Sequence, residues 1–254
     1  MQRGSSGAEF NFLGDRVVKL APEKAVGDRV MAQGMWLQKH QSPAVPRVFQ
    51  VYARSYVMER LIVPPLWALD HEVIFHHLLS ALSVHVWSRP AEVEPNRYSI
   101  EMKYTKLCDQ FKLTETMEEL DKLHDSIQWD DLKRCLTHGD PTLDNVMFRE
   151  DDAEVGVVIG DPIPATPAVP DLRCVDFGKI LQSLLGWEET RYGLRSFRLR
   201  IGTEDLHRWV TDKNEWRGTI FWSIVHMLRA MPYVNEDVRK RLKGRIDAAL
   251  HLGI

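Results

Sequence analysis

Pro64-Pro65 divides this chain, because neither proline can continue a central strand or the interior of a helix, and the residue pattern changes character across the pair. On the N-terminal side short β-rich runs dominate. Phe10 to Leu13 and Val17 to Leu20 flank a turn at Gly14-Asp15, and Val48 to Val51 and Tyr56 to Met58 flank a second turn at Ala53-Arg54. A helix is expected between the two hairpins, from about Asp28 to His40. Val30, Met31, Met35, Trp36 and Leu37 recur near helical spacing there, Asp28 stands ready to cap the start, and Pro43 and Pro46 follow as stops. On the C-terminal side the spacing turns helical. Val73, Ile74, Leu78, Leu79, Leu82 and Val86 predict a helix from Asp70 to Trp87, and Thr116-x-x-Glu119 reads as a capping box that opens another. Further stripes run through Ile180, Leu181 and Leu184, then Ile220 to Leu228, then Val238, Leu242, Ile246 and Leu250. Leu132 to Asp161 reads as loop and short strand, closing in Val155-Gly156-Val157-Val158-Ile159, which suits a buried strand. The division implies a strand-rich unit over residues 1–61 and a helical unit over residues 62–254.

The 254 residues are 44% apolar and 27% charged, enough to bury a sizeable core. A formal net charge of −3 provides no global field for a nucleic-acid backbone or an acidic membrane. No apolar run reaches the roughly 18 residues of a membrane span, and the start lacks the apolar centre of a signal peptide, so a cytoplasmic protein without membrane or nucleic-acid partners is expected. Cys108, Cys135 and Cys174 are widely spaced and read as buried thiols.

The most specific motif is Leu136-Thr137-His138-Gly139-Asp140-Pro141-Thr142-Leu143-Asp144-Asn145, a His-x-Asp with Asn five residues beyond the Asp. Taken as a polar turn alone, Asp140 and Asp144 would only cap local backbone groups. The motif resembles the catalytic loop of the aminoglycoside and choline kinase-like phosphotransferases, relatives of the protein kinases. The resemblance implies a two-lobed α+β, protein kinase-like fold, with a small strand-rich nucleotide lobe and a larger, mostly helical lobe. It also implies transfer of the γ-phosphoryl group of ATP or GTP to an alcohol. One carboxylate, Asp140, must accept or orient the proton of the attacking hydroxyl, and a neutral oxygen, Asn145, must ligate Mg2+ beside the phosphates. His138 is expected to support the loop rather than to move protons. A second, carboxylate ligand is needed, and Asp161 in Ile159-Gly160-Asp161-Pro162 competes with Asp176 in the literal Asp176-Phe177-Gly178. After Asn145 the chain needs one short hairpin before it returns to the metal. Asp161 follows the apolar run at that distance, whereas Asp176 falls in a helix opened at Pro170-Asp171 and is expected to be an ordinary helix-face residue.

Upstream, Gly4-Ser5-Ser6-Gly7 resembles the glycine-rich loop over the phosphates, Lys19 the strand lysine that grips them, and Met58-Glu59-Arg60-Leu61 the segment between the lobes that pairs with adenine. Departures are visible. Only three residues precede Gly4, so the first strand is short or missing. The glutamate that should accompany Lys19 has no convincing match, since Gln33, Glu23 and Asp28 are the available residues. No Ala-Pro-Glu follows Asp161, which favours a small hydroxylated acceptor over a peptide. A nucleotide-binding regulator of weak activity and a protein Ser/Thr kinase are the alternatives. His71, His76 and His77 have the wrong spacing for a helical zinc pair. Trp187, Trp209, Trp216 and Trp222 read as packing, and Arg239-Lys240-Arg241 as a solvated face. Oligomeric state is not encoded in any of these features.

Overall fold

In the computed structural model, residues 2–3, 7–63, 70–149, 157–192 and 201–252 are described. The turn at Gly14-Asp15 joins β2 (Glu9–Leu13) to β3 (Arg16–Leu20), with Phe10 opposite Lys19. A two-residue β1 (Gln2–Arg3) pairs with β2, and β4 (Val48–Tyr52) and β5 (Ser55–Glu59) complete an antiparallel sheet in the order β1-β2-β3-β5-β4. The alternation along β3 points Val17 and Lys19 inward. Helix α1 (Lys24–Lys39) packs on β4 and β5 so closely that a Cβ on Gly34 would lie 2.9 Å from the Tyr56 side chain. It begins at Lys24 rather than at the expected Asp28, with Glu23 at the N-cap and no side-chain cap bond. The apolar face begins earlier than the capping signal, since Val26 and Val30 both pack on the core. Pro64-Pro65, the anticipated boundary, lies outside the described residues.

Helix α2 (His71–His85) starts as expected, with Asp70 accepting the Val73 N–H. Helix α3 (Arg97–Phe111) was not anticipated, although Asn96 caps it through the Ser99 N–H at 2.9 Å and Ile100, Tyr104 and Cys108 form its buried stripe. Lys112 then adopts a left-handed conformation at φ 54°, and the Leu113 N–H bonds back to the Cys108 carbonyl. That reversal makes Leu113 the N-cap of α4 (Thr114–Ser126), so Thr116 sits inside the helix, buried, instead of capping it. A two-stranded ribbon, β6 (Val146–Met147) with β7 (Val158–Ile159), follows the catalytic-loop motif.

The rest is helical: α5 (Arg173–Leu184), α6 (Trp187–Tyr192), α7 (Thr203–His207), α8 (Lys213–Ala230) and α9 (Glu236–Leu250). Helix α8 is buried all round from Gly218 to Leu228, which marks it as the centre of the lobe. It runs alongside α5 in the same direction, with Arg173 on Glu215, Cys174 against Gly218 and Gly178 against Trp222, and His226 Nε2 lies 3.1 Å from the Val175 carbonyl. Trp129 and Trp222 are core residues. Cys108, Cys135 and Cys174 are buried and unpaired. Among the described residues no helix is long and apolar enough to cross a membrane.

Among the bonds that join the strand-rich and helical parts, several lie behind the cleft. Ile62 and Phe148 exchange backbone hydrogen bonds of 2.8 and 2.9 Å, the Ile159 N–H donates to the Ala44 carbonyl at 2.8 Å, and the Arg149 guanidinium reaches Glu59, Pro43 and Val45.

The α5–α8 contact is tight enough to be tested by one methyl group. A Cβ on Gly178 would lie 2.6 Å from the Trp222 Cβ and 2.9 Å from the Ser223 nitrogen. Gly178→Ala should therefore destabilise the protein by about 1–3 kcal/mol, lowering the melting temperature by roughly 2–10 °C. Gly244→Ala, where nothing lies within 4 Å, should not lower it.

Candidate active site

The loop from Thr137 to Asn145 is held from behind by two aspartates. Asp176, fully buried on α5, accepts the His138 N–H at 2.9 Å, the Gly139 N–H at 2.7 Å and the Trp87 Nε1–H at 2.9 Å. Burial pushes its carboxyl up to about 7, against the pull of these donors. Asp171 accepts the Thr137 N–H and hydroxyl with one oxygen and the Glu92 and Val93 N–H groups with the other. The expectation of an ordinary helix-face residue at 176 is thus corrected: the helix placement holds, but burial and three N–H donors make Asp176 an anchor. Asp171 likewise does not open α5, which starts at Arg173 with Leu172 at its N-cap.

Gly139 is required where it stands. Its φ is +78°, and a Cβ there would lie 2.1 Å from the Ile163 carbonyl oxygen. His138 is fully buried, with Nε2 3.3 Å from the Ile159 carbonyl and Nδ1 accepting the Asp140 N–H at 3.4 Å. That pair of contacts suits the neutral tautomer with its proton on Nε2. Burial lowers its pKa to about 4, so the ring is uncharged at neutral pH.

The Asp140 carboxylate faces Lys179 from α5, at 2.9 Å to Nζ, and the Asn145 amide, at 3.1 Å to Nδ2. Burial pushes this carboxyl up, but Lys179, His138 and Asn145 outweigh it and hold the group below its ordinary value. Because the Asn145 nitrogen is committed to Asp140, at 2.8 Å to its carbonyl as well, the amide oxygen is left for another partner.

Across the cleft, the ammonium of Lys19 lies 2.6 Å from Asp161 Oδ1 and 3.0 Å from Gln33 Oε1. Gln33 on α1 therefore occupies the place next to Lys19 where the resemblance implies glutamate. Asp161 has a φ of +55°, unusual outside glycine, and directly follows β7. A cavity of about 190 Å³ opens between the lobes, lined by Phe10, Met58 and Leu61 on one side and Asn145, Met147 and Asp161 on the other. The Glu59 side chain points elsewhere, to Arg149 and to the Arg47 N–H, each at 2.8 Å. The N–H groups of Glu59, Arg60 and Ile62 bond to the carbonyls of Arg47, Asp15 and Phe148, whereas that of Leu61 meets no backbone carbonyl among the described residues. Gly7, at φ +80°, lies between β1 and β2, and Gly4, Ser5 and Ser6 lie outside the described residues.

Asn145 and Asp161 offer one amide and one carboxylate oxygen to the same cavity. No group of three or more His, Cys, Asp and Glu that could hold a metal occurs among the described residues, and His71, His76 and His77 form none. So sparse a set of hard oxygens fits a cation that takes its remaining ligands from phosphates and water, as Mg2+ does. The places of Lys179, Asp171 and Asp176 have no local signal in the sequence, because they arise from the docking of α5 and the segment before it, whereas Gln33 is one of the residues the sequence offers to Lys19.

Removing the Asp176 carboxylate leaves buried N–H groups without partners. Asp176→Ala should cost about 3 kcal/mol or more, read as a lower denaturant midpoint. A loss no greater than that of the exposed Asp130→Ala would show that the anchor is dispensable. The lowered His138 pKa sets a pH dependence. The unfolded chain binds this proton below about pH 6.5 and the folded chain only near pH 4. Stability is therefore complete above about 6.5 and falls as the pH drops towards 4, by about 3 kcal/mol from this group. His226, also lowered by burial, acts in the same direction. Urea unfolding across pH 4–7.5 measures the slope.

The phosphotransferase enzyme family matches residues 3–160, more than half of the chain. No curated protein sequence is significantly similar to it. Similar solved structures include an aminoglycoside phosphotransferase, APH(4)-Ia, in ternary complex with AMP-PNP and hygromycin B, at 14% identity and a TM-score of 0.59, covering 97% of this chain and 94% of that one. Others are the choline kinase LicA of Streptococcus pneumoniae, at 11% identity, a TM-score of 0.58 and coverage of 96% and 90%, and the Plasmodium vivax ethanolamine kinase, at 10%, 0.56, and 97% and 83%. Two lobes, a helical C-terminal half and this loop agree with a kinase-like fold, and the chain belongs to the phosphotransferase enzyme family.

Proposed function

We propose that the protein transfers the γ-phosphoryl group of ATP or GTP, as its Mg2+ complex, to a hydroxyl of a small molecule. The observation that supports this best is the gathering of Lys19, Asp140, Asn145 and Asp161 around one cleft from positions up to 142 residues apart. In this reading Phe10 and Met147 enclose the base, and the free Leu61 N–H donates to it. Lys19 steadies the phosphates, and Asn145 and Asp161 hold the cation. When bound, Mg2+ would neutralise charge on the phosphate oxygens.

Asp140 orients the acceptor hydroxyl along the line of attack. Its depressed basicity suits a group that takes the proton only late, as a loose transition state allows. His138 stays neutral and shapes the loop. Most of the acceleration comes from positioning and from charge neutralisation.

A small acceptor is favoured over a peptide by the segment between Asp161 and α5. Ile163 bonds to His138, Thr166 pairs with Val169, and Pro167 accepts from Asn96, so the chain closes on its own lobe instead of offering an extended platform. The nucleotide-binding regulator is disfavoured because the catalytic-loop carboxylate and both proposed metal ligands are present.

Saturating Mg-ATP at about 100 times Kd should add about 2.7 kcal/mol of stability, a rise of roughly 5–10 °C for a chain of this size. Asp140→Ala should keep that shift and lose turnover by about 100- to 10,000-fold, while Asp161→Ala should lose the magnesium-dependent part of the shift. Absence of a shift with either ATP or GTP would overturn the proposal.

A further inference from the structure

Lys179 holds a place that the phosphoryl-transfer reading does not by itself require. It stands one turn beyond Asp176 on α5, so the helix that grips the loop by its backbone also sends an ammonium to the loop's side chains. Its footing is firm. A Cβ on the adjoining Gly178 would lie 2.6 Å from the Trp222 Cβ, and so close an approach to α8 leaves this part of α5 little room to shift.

From there Nζ reaches Asp140 Oδ1 at 2.9 Å, while the Asn145 amide takes Oδ2 at 3.1 Å. Each carboxylate oxygen thus has its own donor. Among the described residues Asp140 is the one hydrogen-bond or ion-pair partner of the Lys179 ammonium, which carries three N–H groups and so has donors to spare. The Lys179 and Asp140 side chains keep 13% and 23% of their surface exposed, so the pair is not sealed into the core. Asn145, the neighbour on Oδ2, lines the cavity between the lobes together with Asp161. The ammonium therefore touches the carboxylate proposed to face the acceptor, one side chain away from the amide proposed to face the phosphates. A hydroxyl bonded to Asp140 sits about 2.7 Å from it, and the phosphorus comes within about 3–3.5 Å of that hydroxyl before attack. A phosphoryl oxygen is then in reach of a flexible four-carbon side chain whose ammonium already touches Asp140.

We propose that Lys179 is a catalytic residue, which binds the transferring phosphoryl group from the acceptor side while it stays in contact with Asp140. This rests on the phosphotransferase reading and adds to Lys19 and the cation a further positive group at the reacting centre. In the step itself the acceptor oxygen forms its bond to the γ-phosphorus. The bond from that phosphorus to the β–γ bridging oxygen breaks with its electron pair left on the oxygen, and the hydroxyl proton passes to Asp140. Lys179 keeps its protons throughout. As Asp140 gives up its negative charge, the phosphoryl oxygens replace it as counter-ion to the ammonium.

The test uses the full chain and needs no acceptor. Fluoroaluminate bound with Mg-ADP or Mg-GDP mimics the transferring phosphoryl group, with water in the acceptor's place, and affinities are read by calorimetry. Fluoroaluminate should tighten diphosphate binding at least about tenfold in the wild type. Lys179→Met should remove that gain and leave binding of the diphosphate alone within about twofold. An ion pair kept only for structure behaves differently: once Asp140→Asn has removed the negative charge, Lys179 has nothing left to balance. Asp140→Asn should retain part of the gain, and adding Lys179→Met should remove it from that background as well. The double variant leaves neither charge unpaired, so it carries the test should Lys179→Met alone fail to fold. A gain that survives Lys179→Met, or that Lys179→Met removes only when Asp140 is intact, overturns the proposal and leaves the phosphotransferase reading standing. A wild-type protein that binds the diphosphates with no gain from fluoroaluminate also overturns it. Binding of neither diphosphate, with Mg-ATP and Mg-GTP equally inert, overturns the phosphotransferase reading as well.

Discussion

The site depends on the carboxylate of Asp176. The loop that carries Asp140 and Asn145 must hold them at fixed positions to act as proposed, yet it is made of residues whose backbone groups have no ladder to join. Asp176 supplies what a strand partner would, taking two consecutive N–H groups of the loop and a tryptophan N–H in a fully buried setting. Helix α5 can bring it there because Gly178 and Gly218 let α5 and α8 approach almost backbone to backbone. The same helix carries Lys179 to Asp140, so the helix pair sets both the position of the proposed catalytic carboxylate and its charge environment.

Lys19 illustrates a second balance. It is wholly buried on an inward position of β3, and Gln33 offers it a dipole instead of a charge. Asp161 is then the carboxylate that compensates the ammonium, and Asp161 is also a proposed cation ligand. In the proposed complex, commitment of Asp161 to the cation would leave Lys19 in need of a new anion, and the nucleotide phosphates bring one. A glutamate at position 33 would weaken that demand, so in the proposed complex Gln33 would couple the lysine more strongly to the ligand.

Much of this was legible in the residues. The hairpin about Gly14-Asp15 and the helix capped by Asp70 follow from local chemistry, which is what a sequence displays, and the family follows from the resemblance of the His138–Asn145 motif. The errors arose where tertiary packing overruled it. The start of α1 moved because Val26 had a core to join, and the capping box at Thr116 yielded to a reversal at Lys112. Helix α3 is the opposite case, since the Asn96 cap and the spacing of Ile100, Tyr104 and Cys108 are local signals that mark it. The role of Asp176 was not legible, because its partners lie 37, 38 and 89 residues away and nothing local marks the meeting.

The mutual hydrogen bonds of Ile62 and Phe148 and the grip of Arg149 on Glu59, Pro43 and Val45 lie at the back of the cleft. They join the two lobes along one edge, much as a spine joins the covers of a book, while the side-chain bridge from Lys19 to Asp161 spans the cleft itself. Any opening of the cleft about that edge would be smallest near Leu61 and greatest at the rim formed by Phe10 and Phe12.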